Sequence, residues 1–310
     1  KFVQKGQIYA LQSFASSTLF CANRINTVEL SRYGTHNVYS VMVLNNGFGL
    51  SGSYSVMKSY PRQLHIFFNA LTYYTRFSAP KWVEHSAENQ AESNRYLPWI
   101  GLLIGFYTAL IYWLGTFIFP ESIAVILSIA ASIWMSGALH EDGLSDCIDG
   151  FGGGWEKQRI LTIMKDSRLG SYGVIALLMA LLLKYNALLN LQETVLIIIT
   201  AHCLSRFFPL IIIYREHYTG LEERSKAKGM TTRKMTRFDL AIAFLPAILC
   251  LAFSPFAYIS ILIPLLALNL WLGAYFRTWI DGYTGDCLGC CQQLSELTIY
   301  IWFCLPWFIG

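Results

Sequence analysis

Apolar runs close to twenty residues long constrain this chain more than any other feature, because a helix needs about 20 such residues to cross a hydrocarbon core of roughly 30 Å. The runs fall near Leu97 to Phe119, Ser122 to Leu139, Gly173 to Leu189, Thr194 to Tyr214, Asp239 to Phe253, Phe256 to Phe276 and Leu297 to Ile309. Composition points the same way. Of 310 residues, 55% are hydrophobic and only 14% charged, where a soluble domain carries about a quarter. The expected fold is all-α: a polytopic integral membrane helix bundle of about seven transmembrane helices. From Leu64 to Phe77, Phe67, Phe68, Leu71 and Tyr74 mix with His65, Asn69 and Arg76 at helical spacing, the pattern of an additional interfacial helix.

Basic residues set the expected orientation, since in short loops they favour the cytoplasm. Lys157, Arg159, Lys165 and Arg168 follow the second run. Arg215, Arg224, Lys226, Lys228, Arg233, Lys234 and Arg237 follow the fourth, and Arg277 the sixth. The connectors around Pro120, Gln192 and Ser254 carry neither Lys nor Arg. This alternation predicts seven spans with the basic loops inside.

Residues 1–56 are rich in Ser, Asn, Gly and Tyr, without a span-length run or the basic start and apolar core of a signal peptide. They form an unassigned extension, with Met57 as a candidate start of a membrane-embedded domain, 57–310. Of eight cysteines, Cys203, Cys250 and Cys304 lie in apolar runs and read as small hydrophobes. Cys287, Cys290 and Cys291 form a CxxCC cluster, but no second Cys or His pair stands near it to complete a zinc tetrahedron, so packing is the preferred reading.

The chemistry concentrates in HEDGLSDCIDG, His140 to Gly150. Asp142, Asp146 and Asp149 have i, i+4, i+7 spacing, which holds three carboxylates within about 60° of one helical face. Two carboxylates 4 Å apart repel by about 4 kcal/mol at an effective dielectric of 20, so a converging set requires a cation. Oxygen ligands shared with phosphate suit Mg2+. A solvated acidic turn is the plain alternative, and the glycines at 143, 150, 152, 153 and 154 weigh against it by leaving room for a ligand.

KDSRLGSYG, Lys165 to Gly173, adds Asp166 and Arg168 on the same loop. Arg168 offers a planar fork matched to phosphate, and Lys165 a point charge. Lys184 and Arg206 fall within apolar runs, where a charge must face the bundle interior or a polar cavity. For Arg206 snorkelling to the near end is the alternative; for Lys184 the candidate partners are a loop acid or a substrate phosphate. GYTGDCLG, Gly282 to Gly289, brings Asp286 to the predicted cytoplasmic side before the last span.

HEDGLSDCIDG, KDSRLGSYG, Lys184, Ser205-Arg206 and TGD, in this order and spacing, resemble the bacterial adenosylcobinamide-GDP ribazoletransferases, also called cobalamin synthases. The resemblance runs from about Met57 to the C-terminus. It implies the last assembly step of adenosylcobalamin synthesis, joining adenosylcobinamide-GDP to alpha-ribazole or its 5'-phosphate with release of GMP. It also implies Mg2+ as cofactor and a site facing the cytoplasm from the bacterial inner membrane. Within it, Asp142, Asp146, Asp149 and Asp166 are the expected metal ligands. Lys165, Arg168, Ser171, Lys184, Arg206 and Asp286 are expected at the substrates. Arg168 and Arg206 would stabilise the diphosphate, and Asp166 and His140 both stay open as the general base. Expected partners are the two substrates, membrane lipid, and a second copy of the chain or other nucleotide-loop enzymes, with no nucleic acid. Glu141 departs from the family pattern, standing where an apolar residue is expected. Ala138 stands near an expected Gly, and residues 1–56 have no counterpart.

Two rivals come from other classes. A CDP-alcohol phosphotransferase also uses spaced aspartates, but its Asp-Gly-x-x-Ala-Arg core is absent here. A divalent-cation transporter would hold acids at the membrane midplane, whereas every Asp and Glu here is expected at or beyond the span ends.

Overall fold

The computed structural model describes residues 26–30, 39–43, 55–58, 60–220 and 233–309. Contacts divide the chain into two units, 1–61 and 62–310. In the first, β1 (Asn26–Leu30), β2 (Tyr39–Val43) and β3 (Ser55–Lys58) form an antiparallel sheet in that order, with Val28 opposite Val41 and Val41 opposite Val56. Met57 lies within β3. The sequence reading assigned no element to this segment.

The regular elements of the second unit are helices among the described residues. Its helices are α1 (Arg62–Tyr74), α2 (Ala87–Ser93), α3 (Leu97–Thr116), α4 (Glu121–Ser136), α5 (Leu139–Gly153), α6 (Lys157–Met164), α7 (Ser171–Leu189), α8 (Thr194–Arg215), α9 (Arg237–Ala252), α10 (Leu262–Ile280), α11 (Gly285–Phe303) and α12 (Pro306–Ile309). Four segments among the described residues are long and apolar enough to cross a membrane: Ala87–Thr116, Ser171–Leu189, Thr194–Arg215 and Phe256–Ile280. A fifth counts if α4 and α5, bent by 87°, are taken as one. Their outer faces are apolar, with Phe106, Leu110 and Trp113 exposed on α3, Ile175, Leu178 and Leu182 on α7, and Ile263, Leu266 and Trp271 on α10. Such contiguous surface requires lipid around it. This is a membrane-embedded helix bundle.

Length and composition do not reach the predicted seven spans. At 16 residues, α9 is short, and α11 opens with a polar half that includes Asp286, Gln292, Gln293 and Glu296. The helix α11 also starts at Gly285, well before the expected last run at Leu297. Glu296 therefore sits inside the bundle, which corrects the expectation that all acids lie at or beyond span ends. The short helix expected over 64–77 is present as α1.

Helix α8 is the most enclosed of the four long segments. It packs against α3, where Gly101 leaves no room for a Cβ beside the Arg206 side chain. That burial explains how α8 carries His202, Ser205 and Arg206 in its middle, since none of them meets lipid. Between α4 and α5 the chain turns through two left-handed residues, Gly137 (φ 67°) and Ala138 (φ 59°). Ala138 is the position near which the family pattern places Gly, the residue that takes this conformation without strain.

Candidate active site

Several turns gather at one end of the bundle. Arg76 N donates to Met135 O (3.0 Å), fastening the end of α1 to the end of α4. Thr219 N donates to Tyr283 O and Tyr283 N to His217 O, both at 2.9 Å, joining the segment after α8 to the one before α11. Lys157 at the start of α6 pairs with Asp281 at the end of α10 (3.0 Å).

The 87° bend turns α5 across this end rather than along the bundle. It crosses α11 where Gly143 meets Gly289, and a Cβ on Gly143 would lie 3.0 Å from the Gly289 Cα and 3.1 Å from the Asp286 carbonyl oxygen. The crossing sets Asp142 and Asp146 of α5 beside Asp286 at the first turn of α11. Asp142 is exposed and the other two half-buried. Burial, then the charges of Asp142, Asp286 and Asp149, push the Asp146 carboxyl up to about 7. Burial, then Asp142, push Asp286 up to about 6, while nearby Lys165 opposes the shift. Neither Asp142 nor Asp146 pairs with a cation among the described residues.

Asp149, on the same helix, faces differently. Its Oδ2 accepts from Gly170 N (2.8 Å) and its Oδ1 from Gly173 N (2.9 Å), so both oxygens cap the start of α7. A charged acceptor there satisfies amides that the helix leaves unpaired and complements its dipole. The expected face of three acids is thus divided between an open pair and a buried clasp.

Asp166 and Arg168 form an exposed local pair, with Arg168 Nη2 2.6 Å from Asp166 Oδ2. The Arg168 guanidinium holds the Asp166 carboxyl down to about 2. Ser171, at the first position of α7, is exposed.

Lys184, Arg206 and His140 are not at this surface. Lys184, 2% exposed, pairs with Glu296, 1% exposed, at 2.9 Å. The acid that serves it comes from α11, a partner the sequence did not indicate. Around the pair, Lys184 Nζ donates to Gln293 Oε1 (3.1 Å), Gln293 Nε2 to Glu141 Oε1 (3.0 Å), and Gln292 Nε2 to Glu296 Oε2 (2.8 Å) and Ser205 Oγ (3.0 Å). Arg206 Nη1 donates to His202 O (3.1 Å) and Nδ1 (3.0 Å), so the side chain is enclosed and does not snorkel. Glu141, the departure from the family pattern, belongs to this interior network. His140, in the first turn of α5, is buried, with Nδ1 unpartnered among the described residues.

Tyrosines were missed in the sequence. Burial, then Tyr218 and Asp286, raise the Tyr73 phenol to about 12, which places α1 at the acidic end. Tyr218 and Tyr283 meet edge to face at 5.6 Å. No spacing signal marks them, because they come from three separate segments. Cys147, Cys287, Cys290 and Cys291 are buried thiols.

Among the described residues, no group of three or more His, Cys, Asp or Glu stands close enough to enclose a metal ion. The donor chemistry still fits magnesium, which takes one or two carboxylates and completes its shell with water and phosphate oxygens.

A bundle clothed for the bilayer, with carboxylates gathered at one end and Lys165 near them, has the make-up of an integral membrane transferase. The cobalamin-5-phosphate synthase family model matches residues 66–304. An adenosylcobinamide-GDP ribazoletransferase of Shewanella amazonensis is 38% identical over 257 residues, covering 81% of this chain and 99% of the relative. The Shewanella frigidimarina enzyme of the same name is 40% identical over 246 residues, covering 77% and 94%. The chain belongs to the cobalamin-5-phosphate synthase family. No solved structure matches it.

Proposed function

We propose that this chain joins adenosylcobinamide-GDP to alpha-ribazole, or to alpha-ribazole 5'-phosphate, giving adenosylcobalamin or its 5'-phosphate and GMP. The observation that carries the site is the crossing of α5 over α11 at Gly143 and Gly289, which sets Asp142 and Asp146 beside Asp286, with Lys165 near Asp286. A ribazole hydroxyl forms a bond to the phosphorus attached to cobinamide, and the bond from that phosphorus to the GMP oxygen breaks. Negative charge grows on the phosphoryl oxygens and on departing GMP.

One or two of Asp142, Asp146 and Asp286 would hold magnesium, with water and phosphate oxygens completing its shell, and the ion would supply positive charge to the phosphoryl oxygens. Lys165 and Arg168 bind the diphosphate from the adjoining loop, Arg168 through the donors that Asp166 leaves open. Asp166, held near 2 by Arg168, is a weak proton acceptor near neutrality. It serves to orient the guanidinium. Asp149 keeps the loop in place through α7.

The site faces the cytoplasm from the inner membrane, as the basic residues of the connecting loops support. Membranes containing the chain, supplied with both substrates and magnesium, should release GMP. Asp142→Asn, Asp146→Asn and Asp286→Asn should each raise the magnesium needed for half-maximal rate and lower the maximal rate. Absence of GMP release sinks the reaction. Normal magnesium dependence in all three variants moves the metal elsewhere.

A further inference from the structure

At the same end of the bundle, α8 and α10 leave a cavity of about 150 Å³ between them near their C-terminal ends. Its walls include Ile212, Leu270 and Gly273, and its rim carries Arg215, Glu216 and Arg277. Both helices belong to segments able to cross a membrane, so the walls stand at acyl-chain depth and the rim at headgroup level. The one polar side chain deeper in the cavity, Asn269, is already satisfied: its Nδ2 donates to Leu265 O (2.8 Å) and Ser295 Oγ (3.1 Å), and its Oδ1 accepts from Cys291. The cavity is open at its rim, so an acyl chain can enter along the apolar part of its wall.

The rim supplies the second observation. Arg277 Nη1 meets Glu216 Oε1 at 3.1 Å. Arg215 is exposed and has no ionic partner among the described residues. Among the described residues, the rim's two guanidiniums and one carboxylate leave one positive charge over the slot. We propose that this slot is a binding site for an anionic phospholipid, its phosphate bridging Arg215 and Arg277 and an acyl chain lying against Ile212, Leu270 and Gly273. A lipid with one net negative charge compensates the rim, whereas a zwitterionic lipid leaves it charged. Guanidinium forks suit the phosphate diester. Gly273 keeps the slot open, since a Cβ there would meet only Ile212, at 3.7 Å.

The test uses the purified full chain in detergent, with bound lipid counted by native mass spectrometry. Dioleoyl-phosphatidylglycerol and dioleoyl-phosphatidylcholine, which share their acyl chains, are offered in turn. The chain should retain the glycerol lipid about tenfold better, the ratio that one charge-assisted contact supplies. Arg215→Gln with Arg277→Gln should remove that preference. Gly273→Leu, which fills the slot and keeps both arginines, should remove retention of either lipid. Equal retention of the two lipids, an unchanged preference in the double variant, or displacement of the lipid by inorganic phosphate would each overturn the proposal. Because the readout is lipid mass, it stands apart from GMP release.

Discussion

Glu296 holds the interior network together, being in contact with Lys184, Gln292 and the Tyr300 hydroxyl (3.3 Å). Glu296→Gln would leave the enclosed Lys184 ammonium without its ion-pair partner. Breaking a buried pair on one side costs about 3–5 kcal/mol, whereas replacing both partners with apolar residues is often neutral. Thermal unfolding in detergent should therefore show a large loss for Glu296→Gln and recovery in Lys184→Met with Glu296→Leu. A single variant as stable as the parent would mean that the pair is incidental. The sequence marked Lys184 as a charge in need of company, because a lysine in an apolar run has few other options. It could not say which acid answers, since the pairing joins α7 to a helix over a hundred residues later and depends on how the bundle packs.

At the scale of elements, α5 and α7 form one device. Asp149 ties the start of α7 to α5, and Gly170 and Gly173 are small because the carboxylate occupies the space where their side chains would be. Gly173→Ala should push Asp149 away, destabilise the fold by about 1–3 kcal/mol as an overpacking change, and speed amide exchange over 165–173. Asp149→Asn should also speed exchange there, yet leave the magnesium for half-maximal rate unchanged, unlike the variants of Asp142, Asp146 and Asp286. A raised magnesium requirement in Asp149→Asn would return this residue to the metal. Helical spacing made the acidic stripe legible, because Asp142, Asp146 and Asp149 do lie on one helix. What spacing could not show is the 87° bend that turns Asp149 toward α7 and leaves Asp142 and Asp146 beside Asp286. That bend rests on two left-handed residues, one of them an alanine that no turn rule singles out.

For the whole molecule, chain order and the basic loops bear on the number and direction of crossings. Chain order with α3, α4, α7, α8, α9, α10 and α11 as successive passes gathers the turns after α4, α6, α8 and α10 at the acidic end, consistent with the contacts that join them. Hydropathy alone counts four or five because α9 is short and α11 carries its polar half inside the bundle, where protein rather than lipid surrounds it. The basic residues decide direction: Lys157, Arg159, Lys165 and Arg168 lie at that end, as does Arg233, while Arg224, Lys226 and Lys228 fall outside the described residues. If these loops face the cytoplasm, exposed Gln158 on α6 does too. A single cysteine at Gln158, in a chain freed of its other cysteines, should stay unlabelled by an impermeant maleimide in intact cells and react once the cells are opened. Cysteines placed at Ser122 and Ser254, in the connectors that carry neither Lys nor Arg, should behave in the opposite way. Labelling of Gln158→Cys in intact cells would invert the bundle, and with it the side from which a large, charged nucleotide substrate reaches Asp142, Asp146 and Asp286.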